Sequence, residues 1–175
     1  MAGWAMVAMG DAEEGISQLR QGLLDWQATG STTYRTYYLA LLAETLAREG
    51  KLTEGHGVLD EALLLVEQTD ERFFEAELHR LRGELHLQGL GVPSRESAAP
   101  AEAAFRQAIE VSCRQDAKSL QLRAATSLAR LQRLFGDDEE SQACLAEAYK
   151  SITQGHDTPD LRDAYDLLAR QKQQS

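Results

Sequence analysis

The sequence is short of the residues that mark strand-rich or cross-linked folds. Three prolines and two cysteines occur in 175 residues, and aromatics make up 6%. β-Branched residues are sparse and no stretch alternates at period two, so a sheet has no basis in the pattern. The cysteines, Cys113 and Cys144, form no metal-type cluster. A disulfide between them stays open, but two buried thiols in a cytoplasmic protein are the more economical reading. No apolar run approaches the roughly 18 residues that a membrane span needs. Residues 1–10 are apolar but carry no basic leader and are too short for a signal peptide. A cytoplasmic location is therefore expected. Positive charge is also in deficit: 18 Lys and Arg face 28 Asp and Glu, a formal net charge of −10. Such a surface repels phosphate backbones, which argues against a nucleic-acid partner.

Catalytic and metal motifs are missing as well. Gly89-Leu90-Gly91 lacks the Gly-Lys-Ser/Thr ending of a phosphate loop and follows no strand. His79 and His86 lie seven apart on one helical face, near Glu75 and Glu84. A metal needs three or four converging ligands, so these histidines read as partly buried or groove-lining. Helix capping accounts for the acidic run Asp137, Asp138, Glu139, Glu140. No serine or cysteine has a histidine partner in a recognisable arrangement. The expectation is a non-enzyme with no cofactor and no metal.

What is abundant is Ala, Leu, Glu, Gln and Arg, the strong helix formers. They are ordered by a repeat. Gly10-Asp11-Ala12-Glu13-Glu14, Gly50-Lys51-Leu52-Thr53-Glu54 and Gly136-Asp137-Asp138-Glu139-Glu140 share one design. Glycine ends a helix in the left-handed conformation, and polar and acidic residues then cap the next. A small–large–small triplet follows: Gly15/Leu19/Gly22, Gly55/Leu59/Ala62, Ala101/Phe105/Ala108 and Ser141/Leu145/Ala148. Small residues let two helices approach and the large one fills the groove between neighbours. This is the Ala…Phe…Ala signature of the second helix of a tetratricopeptide unit. The triplets start at 15, 55, 101 and 141, in steps of 40, 46 and 40, longer than the standard ~34.

The first helices fit the same frame through Leu39, Leu42, Ala43 and Leu46, then Phe74, Leu78, Leu81, Gly83 and Leu85. Leu122, Ala125, Leu128, Ala129 and Leu131 follow. The 46-residue step is assigned to a loop from Gly89 to Pro100, with Pro100 starting the next helix. The predicted fold is all-α: a right-handed superhelical stack of tetratricopeptide-like hairpins, one domain spanning 1–175. Its units are approximately 1–30, 31–69, 70–116 and 117–154, with a capping helix at 157–172 carrying Leu161, Ala164, Leu167 and Leu168.

In the first unit only Trp4 to Met9 remains of the first helix, which suggests a piece of a longer protein. Trp4, Met6, Val7 and Met9 are then core residues short of cover. Two outcomes follow: a homodimer through this end, as a closed two-fold contact, or a frayed end on a monomer.

Three further segments resemble the C-terminal helical repeats of bacterial multidomain regulators. They are Leu78-His79-Arg80-Leu81-Arg82-Gly83-Glu84-Leu85, Ala103 to Val111, and Lys118 to Leu131. Gly155-His156-Asp157-Thr158-Pro159-Asp160-Leu161 is similar to that family's Gly-Phe-Asp-Thr-Pro-Asp-Leu, with His156 departing from it. The likeness covers roughly residues 70 to 170 well and the first third loosely. It implies a sensor or scaffold behind a signalling ATPase domain, itself preceded by a nucleotide-cyclase or DNA-binding domain.

The remaining candidate site is a concave groove lined by the first helices. The register aims Tyr37, Glu44 and Arg48 at it, then Arg80 and Glu84, then Arg123, Arg130 and Arg133. Arginines and a tyrosine suit an acidic or C-terminal peptide. The plainer reading of each is a solvated helix face. The expected partner is a protein or peptide, or the parent's own ATPase domain; a small-molecule sensor pocket is the weaker alternative.

Overall fold

The computed structural model describes residues 12–30, 33–136, 139–154 and 157–171. Among them are eight α-helices and no strand: α1 (Ala12–Ala28), α2 (Arg35–Arg48), α3 (Leu52–Thr69) and α4 (Glu75–Gln88), then α5 (Arg95–Arg114), α6 (Lys118–Arg133), α7 (Glu139–Ser151) and α8 (Pro159–Gln171). Trp4, Met6, Val7 and Met9 lie outside the described residues, and so does the two-fold contact expected of them. Gly10, Asp11, Asp137, Asp138, Gly155 and His156 lie outside them too.

Each helix packs on the next. The even helices also touch one another in series, α2 on α4, α4 on α6 and α6 on α8. The core is correspondingly a chain of clusters. Leu39, Ala43, Leu59, Val66, Leu78 and Leu85 join α2, α3 and α4. Phe105 with Leu128 and Leu131 joins α5 to α6, and Leu122, Leu145 and Leu161 join α6, α7 and α8.

The small–large–small triplets sit where these clusters close. Leu59, Ala62, Ala101, Phe105, Ala108, Leu145 and Ala148 are fully buried, and Gly15, Gly55 and Ser141 are buried with them. Gly22 departs from the pattern and is exposed; a Cβ there would meet nothing within 4 Å. Two glycines are demanded by close approach. A Cβ on Gly55 would lie 2.7 Å from Leu85, and one on Gly83 would lie 2.4 Å from the Phe105 ring. The helix-ending glycines Gly50 and Gly136 have φ of 71° and 74°, the left-handed conformation expected of them.

The triplets also organise the surface. Arg20 pairs with Glu54 across α1 and α3, and Arg106 pairs with Glu140 across α5 and α7. In both pairs the arginine falls five residues after a triplet's start and the acid one residue before the next start. The same contact therefore recurs at the same repeat positions.

Some expectations are corrected. Pro100 does not start a helix. Ser94 Oγ accepts from the Ser97 N–H at 3.1 Å and Ser97 Oγ accepts from the Ser94 N–H at 2.9 Å. This reciprocal cap begins α5 at Arg95 and leaves Pro100 inside it. Capping differs at α3 as well, whose first residue follows Lys51 with no side-chain cap. The thiols are not both buried: Cys113 is exposed and Cys144 half-buried, both free. No Cα of α5 comes within 8 Å of one in α7, beyond the ~7 Å limit for a disulfide.

Candidate functional site

The even helices expose one face together, and there a cavity of about 420 Å³ opens. Glu44 and Arg48 come from the last turns of α2, one helical turn apart, with Arg48 Nη2 donating to Glu44 at 2.7 Å. Arg80 comes from the middle of α4. Arg123, Thr126, Ser127 and Arg130 come from α6, and Asp160 and Asp163 from α8.

The geometry turns on Glu77, whose side chain is only 4% exposed. Arg80 grips it with a two-pronged contact, Nε donating to Oε2 at 3.0 Å and Nη2 to Oε1 at 2.8 Å. Arg80 Nη1 donates to Glu84 at 3.1 Å, and Ser127 Oγ donates to the same carboxylate at 2.6 Å. Arg123 reaches Glu77 at 3.0 Å and Asp160 at 3.9 Å. Arg130 pairs with Asp163. A buried carboxylate held by two guanidiniums is stable only as a complete set, because a single buried charge is heavily penalised. Burial works against the charge of Arg80. The hydrogen bonds and charge of Glu77, then the charges of Glu84 and Glu44, more than offset it and hold its pKa above the usual value.

Of the eight residues expected to face a groove, Glu44, Arg48, Arg80, Arg123 and Arg130 line this cavity, and Glu84 touches it through Arg80 and Ser127. Tyr37 lies instead among aromatic rings, 5.1 Å from Phe74 and 5.4 Å from Tyr38 between ring centres. Arg133, the last residue of α6, is half-buried and is not among the cavity's lining residues. The sequence reasoning missed Glu77, Asp160 and Asp163. The spacing of Glu77 to Arg80 was the available signal for the first. Asp160 was read only within the segment that opens the capping helix, and Asp163 was not singled out.

These acids change the character of the channel. Four arginines face five carboxylates there: Glu44, Glu77, Glu84, Asp160 and Asp163. Arg80 is locked, at 11% side-chain exposure, whereas Arg48 and Arg130 are about half exposed, at 53% and 49%. Exposed pairs of that kind are worth less than about 1 kcal/mol and exchange partners readily.

The histidines stand elsewhere. His86 of α4 packs on His56 of α3 with ring centres 4.7 Å apart. Burial, then His56 and Arg82, pushes the His86 pKa down; burial, then Arg82, does the same to His79. Among the described residues no group of three or more His, Cys, Asp or Glu could hold a metal ion. No helix there is long and apolar enough to cross a membrane.

Fold and site together define an all-α protein whose alternate helices build a charge-matched polar channel. No family model matches the sequence. It is 29% identical over 135 residues to an uncharacterized protein of Rhizobium meliloti (strain 1021). That alignment covers 77% of this chain and 13% of the relative.

Proposed function

We propose that the chain is a non-catalytic protein-interaction and scaffold segment whose channel holds a peptide or helix of a partner protein. The stack is read as a right-handed, tetratricopeptide-like superhelix. In support, the even helices touch in series and an equivalent ion pair recurs at equivalent repeat positions. The observation that carries the function is the channel itself. Four successive even helices contribute charged side chains to one concave face, and the half-exposed arginines at its edge can exchange partners. Because acids already match the arginines, the occupant is a segment of mixed charge rather than a purely acidic one. The setting is the C-terminal regulatory part of a larger bacterial signalling ATPase or regulator, in the cytoplasm. The resemblance of residues 70–170 supports this, as does the size of the Rhizobium relative, of which the match is a small part.

One observation favours a second reading, an arm that packs on the parent's own ATPase domain. Arg80 is fully engaged by Glu77 and Glu84, so the channel is satisfied without a ligand.

The test is selection of binding peptides from a displayed library, followed by titration against variants. Peptides selected on the native chain should lose about tenfold or more in affinity when Arg48, Arg123 and Arg130 become alanine. Arg133→Ala, outside the channel, should leave affinity unchanged. Failure to select any peptide, or equal affinity for the triple variant, would defeat the peptide-binding reading. Binding of the separate parent ATPase domain would then favour the arm.

A further inference from the structure

A second surface lies apart from the charged channel, where the turn before α2 meets the turn before α4. Six aromatic side chains touch there in series: Trp26, Tyr38, Tyr37, Phe74, Phe73 and Tyr34, with ring centres 5.1–5.8 Å apart. The inner rings are half-buried. The outer pair is not: Tyr34 is 52% and Phe73 45% exposed, meeting edge to face at 5.5 Å. Large apolar rings that share a ledge with water usually have a partner.

The backbone holds this ledge in place at a cost. Tyr34 has φ of 65° and Asp70 has φ of 58°, left-handed conformations that a side chain disfavours. The two turns are tied together because the Tyr34 N–H donates to the Glu71 carboxylate at 2.5 Å. Strain of this kind persists where surrounding contacts over-determine it, as at ligand clamps.

Charge identifies the partner. Arg35 is held by Glu61 at 2.8 Å, and Arg72 by Asp70 at 2.5 Å and Glu75 at 3.3 Å. Glu71 is the additional carboxylate. Four acids, Glu61, Asp70, Glu71 and Glu75, thus surround two arginines that are already engaged. The turns join the carboxyl ends of α1 and α3 to the amino ends of α2 and α4, so the helix dipoles offset one another. The ledge presents π faces within an excess of negative charge, the setting that attracts a guanidinium or ammonium group. Anionic membranes and nucleic acids are repelled by the same charge.

We propose that the Tyr34–Phe73 ledge is a docking surface for an arginine- or lysine-bearing segment of a partner protein. The cation stacks on the exposed rings while Glu71 and Asp70 accept its N–H groups. This surface is independent of the channel, so either reading can fail without the other.

The experiment is a fluorescence-anisotropy titration of the 175-residue chain with three labelled ten-residue peptides: Arg/Ser, Glu/Ser and Tyr/Ser. Because the whole chain is acidic, the decisive comparison is Tyr34→Ser/Phe73→Ser, which leaves net charge unchanged. The native chain should bind the Arg/Ser peptide about tenfold tighter than this double variant, and Glu71→Gln should weaken it by a few-fold. Circular dichroism verifies that each variant keeps its helix content, and Tyr34→Phe, which keeps the ring, should retain binding. Equal binding by native and double variant would reduce the effect to general electrostatics and overturn the proposal. So would tighter binding of the Tyr/Ser or Glu/Ser peptide, or no binding of the Arg/Ser peptide.

Discussion

Gly83→Ala gives the most direct test of how the hairpins close. Gly83 is buried in α4, and Phe105 of α5 covers it with a ring that is 0% exposed. An added Cβ would stand 2.4, 2.6 and 2.9 Å from three carbons of that ring. Carbon atoms prefer ~3.5–4.0 Å, so the added carbon is too close by about 1 Å or more on two ring atoms and by at least ~0.6 Å on the third. The ring has no free direction, being packed with Ala98, Ala101, Leu128 and Leu131. Over-packing of this kind costs about 1–3 kcal/mol, and the deep overlap places it near the top. Replacing a mid-helix glycine by alanine returns about 1 kcal/mol of helix propensity. The net expectation is destabilisation by about 1–2 kcal/mol. Gly57→Ala is the internal control. It lies in α3 with nothing within 4 Å of the added carbon, so it should stabilise by up to ~1 kcal/mol. Urea unfolding followed by circular dichroism measures both, and the paired variant Gly83→Ala/Phe105→Leu should recover part of the loss. A Gly83→Ala protein as stable as the native chain would refute the packing argument.

Arg80→Ala should cost about 3 kcal/mol, because it strips Glu77 of its principal partner in a nearly dry site. Arg130→Ala, at a half-exposed pair, should cost less than about 1 kcal/mol; similar losses in urea unfolding would contradict the burial argument. His79 and His86 both have lowered pKa values in the fold, so the unfolded chain binds protons first on acidification. Their contribution is present above the ordinary histidine value of ~6.5 and is lost as pH falls below it, through the depressed folded values. The urea midpoint should therefore fall between pH 7.5 and pH 5.5, and less steeply in His79→Gln/His86→Gln; an identical slope would remove these histidines as the cause. Cys113 is exposed, whereas burial, then the neighbouring Cys113, Glu147 and Glu140, pushes the Cys144 thiol pKa up. A thiol reagent followed by mass spectrometry should label Cys113 well before Cys144, and the reverse order would contradict the assigned burial.

The helices were legible in the sequence because periodic patterns and terminal signals act locally. Leu39, Leu42, Ala43 and Leu46 read as one buried face and are one. Gly50 and Gly136 were legible for the same reason: a left-handed φ is a property of the residue and its immediate neighbours. The start of α5 was misread because proline is a conspicuous signal, whereas the Ser94–Ser97 exchange of hydrogen bonds is easily overlooked. Six of the channel's arginines and acids, Glu44, Arg48, Arg80, Glu84, Arg123 and Arg130, could be chosen from register, since seven residues or four carry a side chain back to the same face.

Tertiary structure alone decided what those residues do to one another. Arg123 meets Glu77 across 46 positions and Arg130 meets Asp163 across 33, and no local pattern specifies such a pairing. It depends on the angle at which α6 crosses α4 and α8, which the buried side chains of all three set together. Tyr37 shows the same limit. Register places it on the face of Glu44, but at the other end of α2 the neighbouring turn brings Phe74 against it and makes it part of an aromatic ledge. The one-dimensional sequence determined which faces are apolar and where helices stop. The packing of those faces determined that the channel is charge-matched, because long-range ion pairs form only after the hydrophobic stripes have fixed the positions of the helices.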